Sequence, residues 1–366
     1  MHSDALLVIV VAAALAFDFT NGFHDTANVV AASISTRALS PRSAVTIASL
    51  LNFAGAFISL QVAATIATGI IDAAQVTETI AFAGLVGAIT WNLVTWLFGL
   101  PSSSSHALIG GIVGAMLAAT GGAGVKAGGV IGKVIIPGLI APVLAFAVAA
   151  ASIVIIYRLI ARRRPGVVTR GFRGGQVVSS AMLSLAHGTN DAQKTMGVIG
   201  LALVAHGDLS AQHFHVPTWV VVSAASAIAL GTYVGGWRII RTVGTRIIKM
   251  DTAQGFTSQG AGAAVILASS HFGYPLSSTH VISGGIMGAG AAKRVSAVRW
   301  GVAGNIVIAW MLTLPAAGLF GALAWWVADV FGSGALGPVL IMVIATSVLG
   351  MAALVRRIRV SEPVRV

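Results

Sequence analysis

Between Phe19 and Asn28 the chain sets Asn21, His24, Asp25 and Asn28 in the middle of an otherwise apolar segment. If that segment spans a bilayer, Asp25 lies near the midplane, where a charged side chain costs roughly 2.5–3.5 kcal/mol on insertion scales. A group kept at that cost is expected to work: a carboxylate can carry a proton or bind a hard cation, with asparagine oxygens as further ligands. The pattern recurs at His187 to Lys194, where Asp191 matches Asp25, Gly188 matches Gly22, and Asn190 and Lys194 flank the second carboxylate. An Asp that merely staples helices is the plainer alternative, and the recurrence weighs against it.

A second duplicated element is richer in hydroxyls. Gly99-Leu-Pro-Ser-Ser-Ser-Ser-His106 is answered by Gly273-Tyr-Pro-Leu-Ser-Ser-Thr-His280. Ser103, Ser104 and Ser105 in one copy and Ser277, Ser278 and Thr279 in the other can donate to a tetrahedral oxyanion without the fixed charge that would trap it. The same residue types also cap helices, a role compatible with binding. Serine beside His106 and His280 admits an intramembrane serine hydrolase as a remote alternative. A nucleophile needs one activated serine with an orienting partner and an oxyanion hole, whereas here the whole element is doubled. No residue is therefore assigned a catalytic role, and the chain is not expected to be an enzyme.

The elements that hold these residues follow from composition. Hydrophobic residues make up 57% of the chain and charged residues 9%, with a mean hydropathy of +0.92, against about a quarter charged in soluble domains. This is an all-α polytopic membrane protein. There is no cysteine, which removes disulfides and Cys-ligated metals. The net charge of +12 does not point to nucleic acid, because the basic residues flank apolar spans. All Lys and Arg except Lys126, Lys133 and Lys194 fall on one side of the expected topology, which the positive-inside rule makes cytoplasmic.

Two inverted-topology repeats are expected, each with a broken transmembrane helix and a re-entrant helical hairpin. Residues 1–157 form the first repeat, 158–175 a basic cytoplasmic linker, 176–328 the second repeat, and 329–366 an extra C-terminal span with a basic tail. The N-terminus is outside and the C-terminus cytoplasmic. In this scheme the runs around Asp25 and Asp191 each split a span into half-helices, and the hairpin tips start two more. Four helix N-termini at mid-depth would supply at most about +2, matching the roughly −1.5 to −2 of a phosphoryl group.

At these motifs the chain resembles the PiT family of inorganic phosphate transporters. Gly22-Phe-His-Asp-Thr-Ala-Asn28 and Gly188-Thr-Asn-Asp-Ala-Gln-Lys194 resemble its Gly-x-x-Asp signature, and the two Pro-containing tips resemble its hairpin motifs. The resemblance implies a symporter of the bacterial inner membrane that imports phosphate with H⁺ or Na⁺, as the bare anion or as a metal–phosphate complex. It needs no cofactor beyond the cotransported ion, and a homodimer is compatible with it. Phosphate would be held by Ser103, Ser104, Ser105, Ser277, Ser278, Thr279 and Lys194, and the cation by Asp25, Asn28, Asn190 and Asp191. Sodium-coupled relatives carry carboxylates on neighbouring helices where Asn52 and Gln259 stand here, so H⁺ is favoured over Na⁺. Sulfate is the rival cargo, set apart because it cannot donate a hydrogen bond to a carboxylate.

Overall fold

The computed structural model describes residues 4–332 and 334–344. Helix α1, Asp4–Ser35, passes through the polar run without interruption. So does its counterpart α8, Pro165–His206. The expected breaks at Asp25 and Asp191 are therefore corrected, and the reason is spacing. Asp18, Asn21, Asp25 and Asn28 recur at steps of three and four, one face of a helix. Neighbouring helices can satisfy that stripe sideways while the backbone ladder stays intact.

The interruptions lie instead in the second span of each half. Helix α2, Pro41–Gly55, ends before residues 56–60, and the chain resumes as α3, Gln61–Ala64, running into a wider turn at Thr65–Gly69. Helix α9, Thr218–Val234, stops at Gly235, whose φ is +77°, and continues as α10, Trp237–Arg241, and a wider turn at Thr242–Arg246. The two parts of this span are bent by 58°. Just before the bend α9 crosses α1 through glycines. A Cβ on Gly22 would run into the Ile228 carbonyl, and one on Gly231 into that of Phe19.

The two hairpins are α4, Glu78–Phe98, with α5, Ser104–Thr120, and α11, Thr252–His271, with α12, Ser278–Lys293. They enter the bundle from opposite ends. The open end of the first shares a cavity with Leu6 and Ala205, while that of the second lies beside Lys249 and Arg299. Their tips meet inside, where Ser105 Oγ donates to the Leu276 carbonyl at 2.9 Å. After the first hairpin come α6, Ala127–Val130, a wider turn, and α7, Ile136–Ile160, and after the second comes α13, Trp300–Asp329. Each of these last spans clasps the other half's hairpin. Trp310 of α13 donates to the Pro101 carbonyl at 3.2 Å, and Tyr157 of α7 donates to Asp251, the N-cap of α11, at 2.6 Å.

Helices Asp4–Ser35, Glu78–Phe98, Ala127–Ile160 and Trp300–Asp329 are long and apolar enough to cross a membrane, and the bent α9–α10 pair adds a fifth candidate. This is an all-helical, multi-pass membrane protein. Two large apolar clusters dominate its core, one including Phe17, Phe82, Leu108 and Met196, the other Val29, Leu183, Val281 and Ile282. Asp25 and Asp191 fall between them along α1 and α8. Of the span and tail expected over 329–366, residues 336–344 are helical and 345–366 lie outside the described residues.

Candidate functional site

Asp25, on α1, is buried and meets both hairpins. Ser104 Oγ donates to its Oδ2 at 2.5 Å, while Ser278 Oγ and Thr279 Oγ1 approach it at 3.4 Å from the other tip. His24 Nδ1 lies 2.7 Å from Asp25 Oδ1, and its Nε2 lies 3.2 Å from Thr95 Oγ1. One turn on, Asn28 Nδ2 donates to Thr279 Oγ1 at 2.8 Å and Ser278 Oγ at 3.3 Å.

Asp191, on α8, faces the same point from the other side. Its Oδ2 lies 2.8 Å from His187 Nε2 and 3.3 Å from Ser278 Oγ, and its Oδ1 pairs with Lys194 Nζ. The lysine also donates to Ser105 Oγ at 2.5 Å and to the Leu276 carbonyl at 2.9 Å. His187 Nδ1 reaches Asn52 Oδ1 at 3.2 Å, and Asn52 in turn donates to Thr232 Oγ1 at 2.8 Å. Ligand atoms of Asp25, His187 and Asp191 all lie within 4.8 Å of one another, a set that could hold a metal ion.

Elementary charge counting shows what this arrangement can accept. The two carboxylates contribute −2 and Lys194 +1. The N-termini of α5 and α12 add about +0.5 each, and their first N–H groups have no partner within the helix. Only two helix ends point here, because α1 and α8 are unbroken, so the expected four are halved. The site is close to neutral on its own. A further −1.5 to −2 from an incoming oxyanion requires accompanying positive charge, since an unpaired charge at this depth is costly.

Residues 21–321 match the family model described as the phosphate transporter family. The chain belongs to the phosphate transporter family. It is 54% identical over 349 residues to a probable low-affinity inorganic phosphate transporter of Mycobacterium tuberculosis (strain ATCC 25618 / H37Rv), covering 94% of this chain and 83% of that one. Proteins of the same description from Rhizobium meliloti (strain 1021) and Bacillus subtilis (strain 168) are 51% and 43% identical, each over 88% of this chain and 97% of theirs. A solved sodium-dependent phosphate transporter shares the fold, with a TM-score of 0.82 at 24% identity over 89% of this chain and 99% of that one.

As a member of a transporter family the chain is not an enzyme. The rings of His106 and His280 meet at a tilt of 52°, with centroids 4.8 Å apart. Asp25, His24 and Ser102 form an Asp–His–Ser sequence of contacts, but Ser102 Oγ is 3.4 Å from the imidazole and 2.8 Å from Thr95 Oγ1. That serine is fully buried in the tip packing.

The structure brings Asp25, Asn28, Asp191, Lys194, Ser104, Ser105, Ser278 and Thr279 together. Ser103 and Ser277 stand behind them as N-caps, accepting the backbone N–H of His106 at 3.1 Å and of His280 at 3.3 Å. Asn190 Nδ2 donates to Ser270 Oγ at 2.9 Å and the Tyr274 carbonyl at 3.1 Å, and its buried Oδ1 has no hydrogen-bond partner among the described residues. Gln259 donates to the Val29 carbonyl at 2.9 Å. Sequence reasoning missed His187 as a partner of Asp191, although their i,i+4 spacing puts both on one face of α8. It also missed Asp18, Asn21, Asn92 and Thr195, whose buried polar atoms have no hydrogen-bond partner among the described residues. The continuation of the Asp25 stripe to Asn21 and Asp18 was the available signal.

Proposed function

We propose that this chain imports inorganic phosphate in symport with a cation, H⁺ in preference to Na⁺. The observation that carries the reading is the meeting of two hairpin tips, with their helix N-termini and hydroxyls, on two buried carboxylates. The hydroxyls of Ser104, Ser105, Ser278 and Thr279 and the N–H groups beginning α5 and α12 would hold the phosphate oxygens. Lys194 contributes charge from beneath Ser105. Asp25 with Asn28 takes the coupling cation, and the cluster of Asp25, His187 and Asp191 suits the metal of a metal–phosphate cargo.

The entry of the hairpins from opposite ends supports two inverted-topology repeats, a plan in which one repeat rocks against the other around a fixed central site. Crowding of basic residues at the end that bears Lys249, Arg294 and Arg299 supports a cytoplasmic position for that end. The relatives' bacterial origin supports the plasma membrane as the location. Preference for H⁺ rests on Lys194 beside Asp191 and on the neutral Asn52 and Gln259. Sodium is the second reading, favoured by the sodium dependence of the solved transporter with the same fold.

Uptake of labelled phosphate into proteoliposomes tests the proposal. Under an imposed pH gradient in sodium-free buffer, uptake is expected to follow the gradient and to resist a large excess of sulfate. Uptake seen only with a sodium gradient would replace the ion, and sulfate outcompeting phosphate would replace the cargo.

A further inference from the structure

The two halves differ at the residue that lies three past each carboxylate. Residue 28 follows Asp25 by three, and residue 194 follows Asp191 by three, so both point onto the tip opposite their own half's partner. In the first half Asn28 Nδ2 donates to Thr279 Oγ1 at 2.8 Å. In the second, Lys194 Nζ donates to Ser105 Oγ at 2.5 Å. Ser105 holds in the first tip the place that Thr279 holds in the second. Where the first half has a neutral amide, the second has a full positive charge on a flexible stem.

The surroundings of that charge are those of a small hard cation. Lys194 Nζ touches a hydroxyl, the Leu276 carbonyl at 2.9 Å and the Asp191 carboxylate. Every partner is oxygen, and one of them is anionic, the donor set that alkali and alkaline-earth ions take. The lysine is fully buried, so its charge is held there and does not snorkel out to solvent. Among the described residues the only nitrogen at ion-pair distance from Asp25 is that of His24, and no lysine or arginine fills the matching place in the first half.

We infer that Asp191, Ser105 and the Leu276 carbonyl form a monovalent-cation site that this chain fills with its own Lys194 ammonium. Asp25 with Asn28 is then left as the exchangeable cation site. The tethered charge neutralises Asp191 through the whole cycle, so each phosphate moves with one accompanying cation fewer than two free sites would give. Lys194 thereby sets the stoichiometry of coupling. The inference deepens the symport reading and rests on it for its consequence in transport, while the site itself is a matter of binding.

The test is Lys194→Asn, which gives the second half the residue of the first. Retention of ²²Na⁺ on the purified full-length protein, without phosphate, reads the site directly, and sodium-driven phosphate uptake in proteoliposomes reads its consequence. The parent protein is expected to retain no more than one Na⁺ per chain and the variant one more. Sodium should stimulate uptake by the variant about tenfold or more, the scale of one charge-assisted contact. Lys194→Gln, a longer amide, carries the same comparison should the asparagine variant fail to fold. Either variant eluting as a folded species yet binding no additional sodium overturns the inference. So does a parent that binds more than one Na⁺ per chain, a measurement that needs no variant. If the sodium counts come out as expected but the parent carries no phosphate, the symport reading falls and the cation site stands. Normal phosphate uptake with equal sodium counts gives the reverse.

Discussion

Asp25 and Asp191 meet the same Ser278 hydroxyl, at 3.4 and 3.3 Å, so the second hairpin tip is shared between the carboxylates of both halves. Neutralising either one removes an acceptor for that tip and a charge needed to hold a cation. Asp25→Asn and Asp191→Asn are each expected to abolish coupled uptake while the protein still reaches the membrane folded, read by labelled phosphate in vesicles and by elution of the purified protein. Normal uptake in either variant would remove the carboxylates from the coupling role. Ser104 differs, because its hydroxyl donates to Asp25 at 2.5 Å and stands at the first turn of α5. Loss of a hydrogen bond to a charged group costs about 1.5–3 kcal/mol, so Ser104→Ala should raise the half-saturating phosphate concentration by about one to two orders of magnitude. An unchanged concentration dependence would leave Ser104 a helix-end residue only.

At the scale of elements, the second hairpin depends on a cap that the sequence motifs do not advertise. Asp251 accepts the Gln254 N–H at 2.9 Å, and the Gln254 side chain returns a bond to the Asp251 N–H at 3.0 Å. Tyr157 of α7 and Lys293 of α12 also bond to Asp251, at 2.6 and 3.0 Å. Partial burial pushes its carboxyl up, but these bonds outweigh that and hold it below the usual 3.8. A lowered folded value means that the contribution is complete above the usual value and fades as pH falls through the lower one. Asp251→Ala should therefore lower thermal stability by about 1–2 kcal/mol near neutral pH, and the difference from the parent should shrink only in strong acid. A gap that closed between pH 8 and 6 would point to a histidine instead.

The hairpins themselves were legible, because Pro101 and Pro275 sit among serines in apolar sequence that no lipid-facing loop could tolerate. The continuity of α1 and α8 was not. A polar run reads as a break only if its side chains lack partners, and the partners here, Thr95, Ser104, Ser278 and Thr232, come from helices distant in sequence. The contacts of Asn190 were equally out of reach, because its amide donates to Ser270 near the end of α11 and to the Tyr274 carbonyl in the second tip, both distant in sequence.

For the whole molecule, opposed hairpins and an exchange of clasping spans make the site inseparable from the orientation of the chain in the membrane. Helix α8 begins at Pro165, close behind the arginines of residues 158–164, and ends at His206 near the cavity that includes Leu6 and Glu78. Helix α8 thus joins the strongly basic end of the bundle to the end that holds Asp72, Glu78 and Asp208. Basic flanks set orientation over short loops, and the loop after α8 carries no Lys or Arg between His206 and Thr218. Gly166 and Gln212 are both exposed and lie near opposite ends of α8. Since the chain has no native cysteine, a cysteine placed at either position can be labelled without background. Gly166→Cys is expected to react with an impermeant thiol reagent only from the cytoplasmic side and Gln212→Cys only from outside. If Gln212→Cys reacts only from within, α8 crosses the other way and the hairpins exchange sides.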